Sequence, residues 1–378
     1  MFHLARKKWP TQMTQRSALL VLCVGLLAGC ASSRALNRIE DAPLLPQAPG
    51  KDLDKFEVKE QVPSSVPTVQ TSASEKKIAP RPSGSRPKVR VGEKKVFQYP
   101  NRRPKVDPIW LNEKAVYDIN YLGMNAGQFT LRTLPFKEIN GRKVYHVFGE
   151  AVSGKVFSLF YSLKDTIETF IDYESFAPHR FHIVLDESKQ KRNSLELYDS
   201  EKGETFFWNR WNHHKKGYTE VKEFFPMQPF SQDSLSSLYY LRTADLSDGA
   251  VVKFPVVSEG KNWDAEVTVV RREMLDTPMG KIRAVVLKPE TKYQGILKKQ
   301  GDSFLWLSDD DRKILLRLEA KVKIGSVVAA LKSFEQGVKQ ESGVSPVQAL
   351  ESAEVEGAKA KATKIRKSST PLSPATSR

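Results

Sequence analysis

The sequence predicts an all-β domain with one short helix, in which a curved antiparallel sheet forms an open barrel or half-barrel flanked by disordered segments. Between about residues 107 and 338, apolar and polar residues alternate over several short runs. Such alternation is typical of strands that bury one face and expose the other. Tight turns between the runs favour antiparallel pairing, because parallel strands need long crossover connections. A sheet that curls on itself is the simplest way to cover the apolar faces.

Short alternating runs define the predicted strands. The alternation is clearest over residues 313–324, 263–269 and 114–121, and a further run covers 181–185. Residues that favour tight-turn conformations separate these runs. The main turn signals are Asn140-Gly141, Glu201-Lys202-Gly203, Glu259-Gly260-Lys261-Asn262, Thr277-Pro278-Met279-Gly280 and Asp309-Asp310-Asp311.

One segment departs from this pattern and predicts the helix. Ser231-Gln232-Asp233-Ser234 comes before apolar residues spaced three to four apart. Ser or Asp at a helix start accepts hydrogen bonds from backbone N–H groups that lack helical partners. A single helix here is able to close one end of a curved sheet. The apolar residues are Leu235, Leu238, Tyr239 and Leu241.

The N-terminal residues predict export and lipidation. Basic residues precede an apolar run at 18–27, which ends in Leu27-Ala28-Gly29-Cys30. A charged start, a short apolar centre and small residues before a cut site are typical of a secretory signal. The last four residues resemble a bacterial lipobox, which implies cleavage between Gly29 and Cys30 and acylation of Cys30.

Two other interpretations compete with lipidation. A transmembrane anchor needs roughly 20 apolar residues, which is more than this run supplies. An ordinary signal peptide with a chance cysteine is disfavoured by the small residues directly before Cys30. Translation starts at Met1 or Met13. By the rule known for bacterial lipoproteins, Ala31 in place of Asp after Cys30 favours the outer membrane, with the domain in the periplasm or on the cell surface.

The predicted chain has four parts. A signal peptide (1–29) precedes a disordered basic Pro-rich linker (30–106), the β domain (107–338) and a disordered Lys/Ala/Ser-rich tail (339–378). The linker and tail have too few apolar residues to offset the entropy of ordering. They also carry much of the formal net charge of +16. Export excludes nucleic acid as the partner of these basic segments and favours lipopolysaccharide, anionic cell-wall polymers or acidic phospholipid.

Four blocks of the β domain resemble one known family. They cover residues 117–127, 160–172, 233–242 and 306–326 in the order in which they occur there. The blocks are similar to the opening hairpin, second block, helix and closing hairpin of the DUF3108 family of exported bacterial proteins. The resemblance extends over about residues 110 to 336. It implies an exported β-rich domain and supplies no activity and no catalytic residues.

The sequence predicts no catalytic residues, no metal site and no cofactor. The familiar nucleophile, zinc-protease and phosphate-binding motifs do not occur. His179 and His182 are three apart, a spacing that places strand side chains on opposite faces. The acidic run 308–311 lacks the spaced ligands of a calcium loop and predicts a hairpin turn. Cleavage and acylation leave the mature chain without a free thiol for a disulfide or cysteine metal site.

An aromatic cluster supplies the candidate contact residues for a ligand or partner. These residues are Phe206, Trp208, Arg210 and Trp211, and Phe207 lies among them. Aromatic residues on both faces of one strand indicate that both faces are covered or that one meets a ligand or partner. Core packing under a lid is the competing interpretation.

Three functions remain open at this point. The leading hypothesis is an outer-membrane-anchored lipoprotein whose non-catalytic β domain binds an envelope lipid, another amphiphile or an envelope protein through the concave face of the sheet. The second is a structural tether whose basic linker docks on the cell wall or lipopolysaccharide. The third and weakest is a hydrolase of envelope polymers, because convergent carboxylates are not evident in the sequence.

Overall fold

A computed structural model describes residues 53–61, 97–293, 296–297, 303–322 and 325–340. The predicted lipidation site at Gly29 and Cys30, most of the linker and nearly all of the tail lie outside these residues. The chain divides into two compact units, 1–61 with 101–342 and 62–100 with 343–378. The fold below belongs to the first unit. In the second, the rings of Phe97 and Tyr99 meet edge to face at 5.3 Å.

The described part of the first unit contains one α-helix and sixteen strands. The helix α1 spans Ser236–Thr243, and short 3-10 turns span Asp54–Phe56 and Phe157–Leu159. The first eight strands are β1 Lys59–Glu60, β2 Lys114–Tyr121, β3 Met124–Ile139, β4 Arg142–Ser153, β5 Lys164–Asp172, β6 Pro178–Asp186, β7 Gln190–Asp199 and β8 Glu204–His213. The others are β9 Gly217–Pro226, β10 Val251–Ser258, β11 Lys261–Thr277, β12 Gly280–Tyr293, β13 Ile296–Leu297, β14 Ser303–Ser308, β15 Leu315–Lys321 and β16 Ser326–Glu335.

The described strands form one antiparallel sheet that does not close. Its order is β10-β11-β12-β14-β15-β16-β2-β3-β4-β5-β6-β7-β8-β9, with β1 beside β3 and β13 beside β12. The sheet curls until β7 meets the β10–β11 turn, where the Glu196 carboxylate accepts the backbone N–H groups of Glu259 and Gly260 at 3.0 and 2.9 Å. The predicted fold class, an all-β open barrel with one short helix, is confirmed.

Turn chemistry accounts for two of the hairpins. Asn140 and Gly141 join β3 to β4 with φ of 54° and 67°, and Glu259 and Gly260 join β10 to β11 with φ of 54° and 69°. Asn and Gly tolerate the left-handed region, as short hairpin loops require. A Cβ atom at Gly260 would lie 2.2 Å from the Phe225 ring, so contact with β9 also requires glycine there.

The predicted helix is present and packs into the concave face of the sheet. Leu235, Tyr239 and Leu241 are buried in the main core. Asp233 accepts hydrogen bonds from the backbone N–H groups of Leu235 and Ser236 at 2.7 and 2.6 Å, which satisfies donors at the helix start. No helix in the described ranges is long and apolar enough to cross a membrane.

Residues 53–61 differ from the disordered linker predicted for 30–106. They form a 3-10 turn and the short strand β1, which pairs with Glu138 and Lys137 of β3. Leu53 and Phe56 are buried on the convex face of the sheet. These two apolar side chains supply the burial that the rest of the linker composition lacks. The end of β3, beyond Arg132 where its pairing with β2 stops, supplies hydrogen-bond partners.

Residues 101–106, at the other end of the predicted linker, also contact the folded unit. The Arg102 N–H donates to the Glu174 carbonyl at 2.8 Å. The Arg103 guanidinium donates to the Tyr173 carbonyl at 2.9 Å and stacks 3.7 Å from the Tyr173 ring centroid. The chain therefore rejoins the folded unit near residue 101, earlier than the predicted boundary at 107.

Candidate functional site

Strand β8 carries the predicted contact residues on two different faces. Side chains alternate along a strand, so Phe206, Trp208 and Arg210 lie on the convex face. Phe207 and Trp211 lie on the concave face, together with their register neighbours Glu196 and Arg192 of β7. The structure therefore does not bring the four candidate residues into one site.

On the convex face, Phe206 is covered by the chain itself. It is only 3% exposed and belongs to the small core that includes Leu53 and Phe56. Phe224 of β9 packs beside it, with ring centroids 4.8 Å apart. The packing interpretation of the aromatic cluster thus accounts for Phe206, and the residues that cover it come from the segment at 53–61.

Trp208 and Arg210 form a more open convex group. The Arg210 guanidinium lies 4.7 Å from the Trp208 ring centroid, and the Lys222 ammonium lies 5.3 Å from it. The indole N–H of Trp208 donates to Glu220 at 2.7 Å. These contacts join β8 to β9 and leave Trp208 half-buried.

On the concave face, Trp211 belongs to a hydrogen-bonded chain across three elements. Its indole N–H donates to Gln190 Oε1 at 2.9 Å, and Gln190 Nε2 donates to the Glu187 carboxylate at 2.6 Å. The Tyr161 hydroxyl donates to the same carboxylate. Trp211 is thus connected, through Gln190 and Glu187, to the loop that joins β4 to β5.

This loop, residues 154–162, is here named the apolar loop. Val156, Leu159 and Phe160 are 72%, 80% and 81% exposed. Large apolar side chains occur singly on many surfaces, but a group of three on one loop indicates a contact surface. The described residues leave all three open to solvent.

Hydrogen bonds fix both ends of the apolar loop. Gly154 N–H donates to the Ala126 carbonyl of β3 at 2.9 Å, and Ser162 N–H donates to the Ser188 hydroxyl at 2.9 Å. Phe157 turns inward and packs against a small core that includes Tyr121. The exposure of its neighbours therefore comes from a loop that is bonded to three parts of the sheet.

Further apolar and basic side chains surround the apolar loop. Leu122 and Met124, at the β2–β3 turn, are 55% and 58% exposed. On the other side, His214 N–H donates to the Lys189 carbonyl at 3.0 Å, which brings the β8–β9 turn beside the β6–β7 turn. The lysines at this end of the sheet include Lys155, Lys164, Lys189, Lys215 and Lys216.

We name this end of the barrel the loop-end surface. It comprises the apolar loop, the β2–β3 turn and the lysines of the surrounding turns. Burial lowers the pKa of His213, and the neighbouring positive charges of His214, Lys216 and Lys215 lower it further. Burial is the larger cause of that shift, and the smaller part reflects the positive charges of the β8–β9 turn.

Two carboxyl groups, of a half-buried Asp165 and a buried Glu187, lie beneath the apolar loop. Burial first, and the charge of Glu187 second, raise the pKa of the Asp165 carboxyl to about 8. Burial and the same neighbour raise the pKa of the Tyr161 hydroxyl as well. A pKa of about 8 favours the protonated form of the Asp165 carboxyl at neutral pH, which reduces the negative charge below a basic and apolar surface.

The other sequence candidates have structural roles. His179 contacts Asp172 at 3.2 Å, whereas His182 contacts Asn193 at 3.0 Å, so the two histidines do not share a partner. Asp310 accepts the backbone N–H groups of Arg312 and Lys313, as predicted for a hairpin turn. Across the described ranges, no three His, Cys, Asp or Glu side chains are grouped as metal ligands.

Sequence reasoning missed the apolar loop as a surface. In the sequence, residues 160 and 161 indicate only a block of the family. The available signal is a run of four apolar residues and one serine, Val156 to Phe160, which does not alternate as a strand does. The run follows Gly154-Lys155 and lies outside every predicted strand and helix, so the sequence predicts no element that would bury all four side chains.

Comparison with solved structures gives similarity at low identity. A β-barrel-like protein of the DUF1849 family from Brucella abortus is 11% identical, with a TM-score of 0.41, over 60% of this chain and 98% of that chain. A proposed exported protein with a YmcC-like fold from Bacteroides fragilis is 9% identical, with a TM-score of 0.28, over 64% of this chain and 99% of that one. A proposed lipoprotein from Parabacteroides distasonis is 10% identical, with a TM-score of 0.28, over 63% and 100%.

Comparison with families gives a match that covers most of the sheet. No curated protein matches the chain significantly. One family model, described as a protein of unknown function, matches residues 116–332. That range runs from β2 to β16 and includes α1 and the apolar loop, and no catalytic family is indicated. The chain therefore belongs to the DUF3108 family of proteins of unknown function.

Proposed function

We propose that this protein is an outer-membrane lipoprotein without catalytic activity, whose DUF3108 domain binds an anionic lipid surface through its loop-end surface. The observation that supports the proposal is the group formed by Val156, Leu159 and Phe160, exposed on a fixed loop and bordered by lysines. Acylation of Cys30 adds a second membrane signal of independent origin.

The chemistry of the loop-end surface suits the interface of a bilayer. Burying a large apolar side chain contributes roughly 1.5–3 kcal/mol. Each lysine near an anionic leaflet adds about 1 kcal/mol. The apolar loop would enter the acyl boundary, while Lys155, Lys189 and the β8–β9 turn would meet the phosphates.

The predicted lipid anchor is long enough to permit this contact. The 23 peptide units from Cys30 to Leu53 span at most about 80 Å when extended. Leu53 is fixed near Asp199, at the opposite end of the sheet from the apolar loop. A strand of ten residues is only about 33 Å long. An acylated chain therefore reaches from the far end of the domain back to the membrane.

The concave face is less suited to a lipid. Helix α1 occupies it, and Tyr117, Tyr145, Tyr198 and Tyr239 are among the largest fully buried side chains. A ligand there would have to displace packed aromatic rings, at a cost of several kcal/mol for each cavity opened. The exposed loop needs no such rearrangement.

Vesicle flotation tests the proposal. The full chain carrying Cys30→Ser, which removes the acyl contribution, would be mixed with phosphatidylglycerol-rich vesicles and with pure phosphatidylcholine vesicles. We expect binding to the anionic vesicles that weakens with salt. Leu159→Ser with Phe160→Ser should reduce partitioning at least tenfold, because each substitution removes one apolar side chain from the lipid contact.

A matched control separates binding through the apolar loop from nonspecific binding through any exposed apolar side chain. Met274 and Met279 are 59% and 46% exposed near the opposite end of the sheet. Met274→Ser with Met279→Ser should leave vesicle binding unchanged. Equal binding by the loop variant and the parent chain, or no binding by either, would falsify the proposed membrane contact.

A further inference from the structure

The β8–β9 turn places two adjacent histidines on the loop-end surface. His214 is exposed in the turn, and His213 is half-buried at the end of β8. Their ring centroids lie 4.7 Å apart. Histidine is the residue type whose charge ordinarily changes between about pH 5 and pH 8. The turn therefore carries positive charge that the pH of the surroundings can change.

Hydrogen bonds connect this turn to the apolar loop by way of the β6–β7 turn. His214 N–H donates to the Lys189 carbonyl at 3.0 Å. The adjacent Ser188 N–H donates to the Ser162 carbonyl of the apolar loop at 2.9 Å, and Ser162 N–H donates back to the Ser188 hydroxyl at 2.9 Å. The two turns and the apolar loop are thus joined, so a charge on His214 lies at the same end of the sheet as the exposed apolar side chains.

The hydrogen bond of the His214 ring is compatible with both of its charge states. His214 Nδ1 lies 3.1 Å from the Lys189 carbonyl oxygen. That oxygen can only accept, so Nδ1 carries a hydrogen whether the ring is neutral or charged. The second proton then binds Nε2, and the bond to Lys189 is kept.

The His213 ring has the opposite arrangement. Its Nδ1 accepts the Lys215 backbone N–H at 3.2 Å. The neutral ring therefore carries its hydrogen on Nε2, and a second proton on Nδ1 would break the bond from Lys215. Burial, and then the positive charges of His214, Lys216 and Lys215, also lower the pKa of His213. His214 is thus the better placed of the two rings to carry an added charge.

The groups around the two histidines are positive or already engaged. Asp186 is paired with Lys191, and Glu187 accepts hydrogen bonds from Tyr161 and Gln190. The lysines of the turns repel a further positive charge, and an anionic surface against the turn would offset that repulsion. The titratable and charged groups of the adjoining elements are Asp186 of β6, Glu187 and Lys189 of the β6–β7 turn, Lys191 of β7, Lys215 and Lys216 of the β8–β9 turn and Tyr218 of β9, with Tyr161 of the apolar loop and Asp165 of β5 behind Glu187.

We propose that His214 is a proton switch of the loop-end surface, and that its protonation strengthens the contact with an anionic phospholipid membrane. The inference rests on the membrane contact proposed above. One added positive charge near an anionic leaflet strengthens binding about fivefold. By linkage, the contact also favours the protonated ring, so binding takes up protons. The domain then holds the membrane more tightly as the pH of its surroundings falls.

Vesicle flotation at two pH values tests the switch. The full chain carrying Cys30→Ser would be mixed with phosphatidylglycerol-rich vesicles at pH 7.5 and at pH 5.5. The phosphodiester of this lipid keeps its charge over that range, so a change in binding originates in the protein. We expect the parent chain to bind about fivefold more tightly at pH 5.5. His214→Gln should remove most of this increase, and the matched control His213→Gln should keep most of it.

A fixed charge at the same position gives the converse readout. His214→Lys should bind at pH 7.5 about as tightly as the parent chain binds at pH 5.5, and the pH should then change its binding little. Urea denaturation at each pH checks that all variants remain folded. A full acid-induced increase in His214→Gln overturns the proposal. Equal binding of the parent chain at both pH values also overturns it and leaves the membrane contact standing, whereas no binding at either pH overturns both.

Discussion

The two ends of the barrel differ in how they treat charge and apolar surface. At the loop end, large apolar side chains and lysines face solvent. At the opposite end, here named the base, charges are buried and matched. The Glu113 carboxylate accepts two hydrogen bonds from Arg242, at 2.6 and 2.9 Å, and one from Arg312. All three side chains are at most 10% exposed.

Other buried contacts extend this closure of the base. Asp107 accepts from Arg103 at 2.8 Å and from the Tyr145 hydroxyl at 2.5 Å. Asp172 accepts from Arg142 and from the backbone of Ser175, and with His179 these contacts lower the pKa of its carboxyl against the opposing effect of burial. We infer from the comparison of the two ends that the base supplies stability. The loop end is then able to expose apolar surface.

The largest expected effect comes from breaking the charge network of the base. Glu113→Ala leaves two guanidinium groups buried without their shared carboxylate. We expect a loss of ~3–5 kcal/mol in the free energy of unfolding. Urea denaturation followed by circular dichroism measures it.

The exposed pair of Lys114 and Glu335 provides the control. Its side chains are 34% and 65% exposed, so Glu335→Ala should change stability by less than ~1 kcal/mol. Similar losses of unfolding free energy for Glu113→Ala and Glu335→Ala would contradict the proposed role of the base in stability.

The docked segment at 53–61 should have the next largest effect. Phe56→Ala removes a side chain that is 3% exposed. The segment can detach instead of leaving a cavity, so we expect about 2 kcal/mol, below the 3–5 kcal/mol typical of interior Phe→Ala changes. Limited proteolysis should show faster cleavage within 53–61. The exposed neighbour Glu57 serves as control, and a Glu57→Ala chain that is cut equally fast would contradict the argument.

Much of the fold could be predicted because its signals are local. Alternation, turn residues and the cap at Asp233 act over a few residues, and the structure has strands, hairpins and a helix where those patterns occur. The network around Glu113 could not be predicted in this way. Glu113 lies 129 residues from Arg242 and 199 from Arg312, and only the closed topology brings them together.

The candidate site was predicted less well, for related reasons. Aromatic residues lie on both faces of β8, and each face makes contacts with other described residues. The sequence could not show that Phe206 is covered by Phe56, because 150 residues separate the two in the chain. The apolar loop could not be predicted because its residue types are those of a protein core. Only the structure shows that Phe157 turns inward while Phe160 does not.

A smaller effect should appear as a pH dependence that originates beneath the apolar loop. The folded pKa of Asp165 is raised to about 8 from the ordinary value of 3.8, so the native state retains a proton that the unfolded chain releases. Its contribution is fully present below about pH 4 and is lost as pH rises through 8. In that window one such proton gives a slope of up to ~1.4 kcal/mol per pH unit.

Asp165→Asn should flatten this slope. Asn can accept from the Asp186 N–H and donate to Glu187, as the protonated acid does. Unfolding free energies at pH 5 and pH 9 should differ less in the variant than in the parent chain. Glu196 and Asp233, with pKa values raised to about 7 and about 6, keep part of the slope. Asp276→Asn, at an exposed position, is the control, and an unchanged slope in Asp165→Asn would contradict the raised pKa of Asp165.

The smallest expected effect on stability is at the apolar loop, and it sharpens the comparison most. Phe160→Ser exposes no core, because the ring is already 81% exposed, so unfolding should change by less than ~0.5 kcal/mol. The same change at the base, Phe56→Ser, should lower stability and leave vesicle binding intact. If the base supplies stability and the loop end supplies binding, Phe56→Ser should lose stability only and Phe160→Ser should lose vesicle binding only. A loss of stability in Phe160→Ser would mean that the loop belongs to the core, and the apolar surface would then need no lipid to explain it.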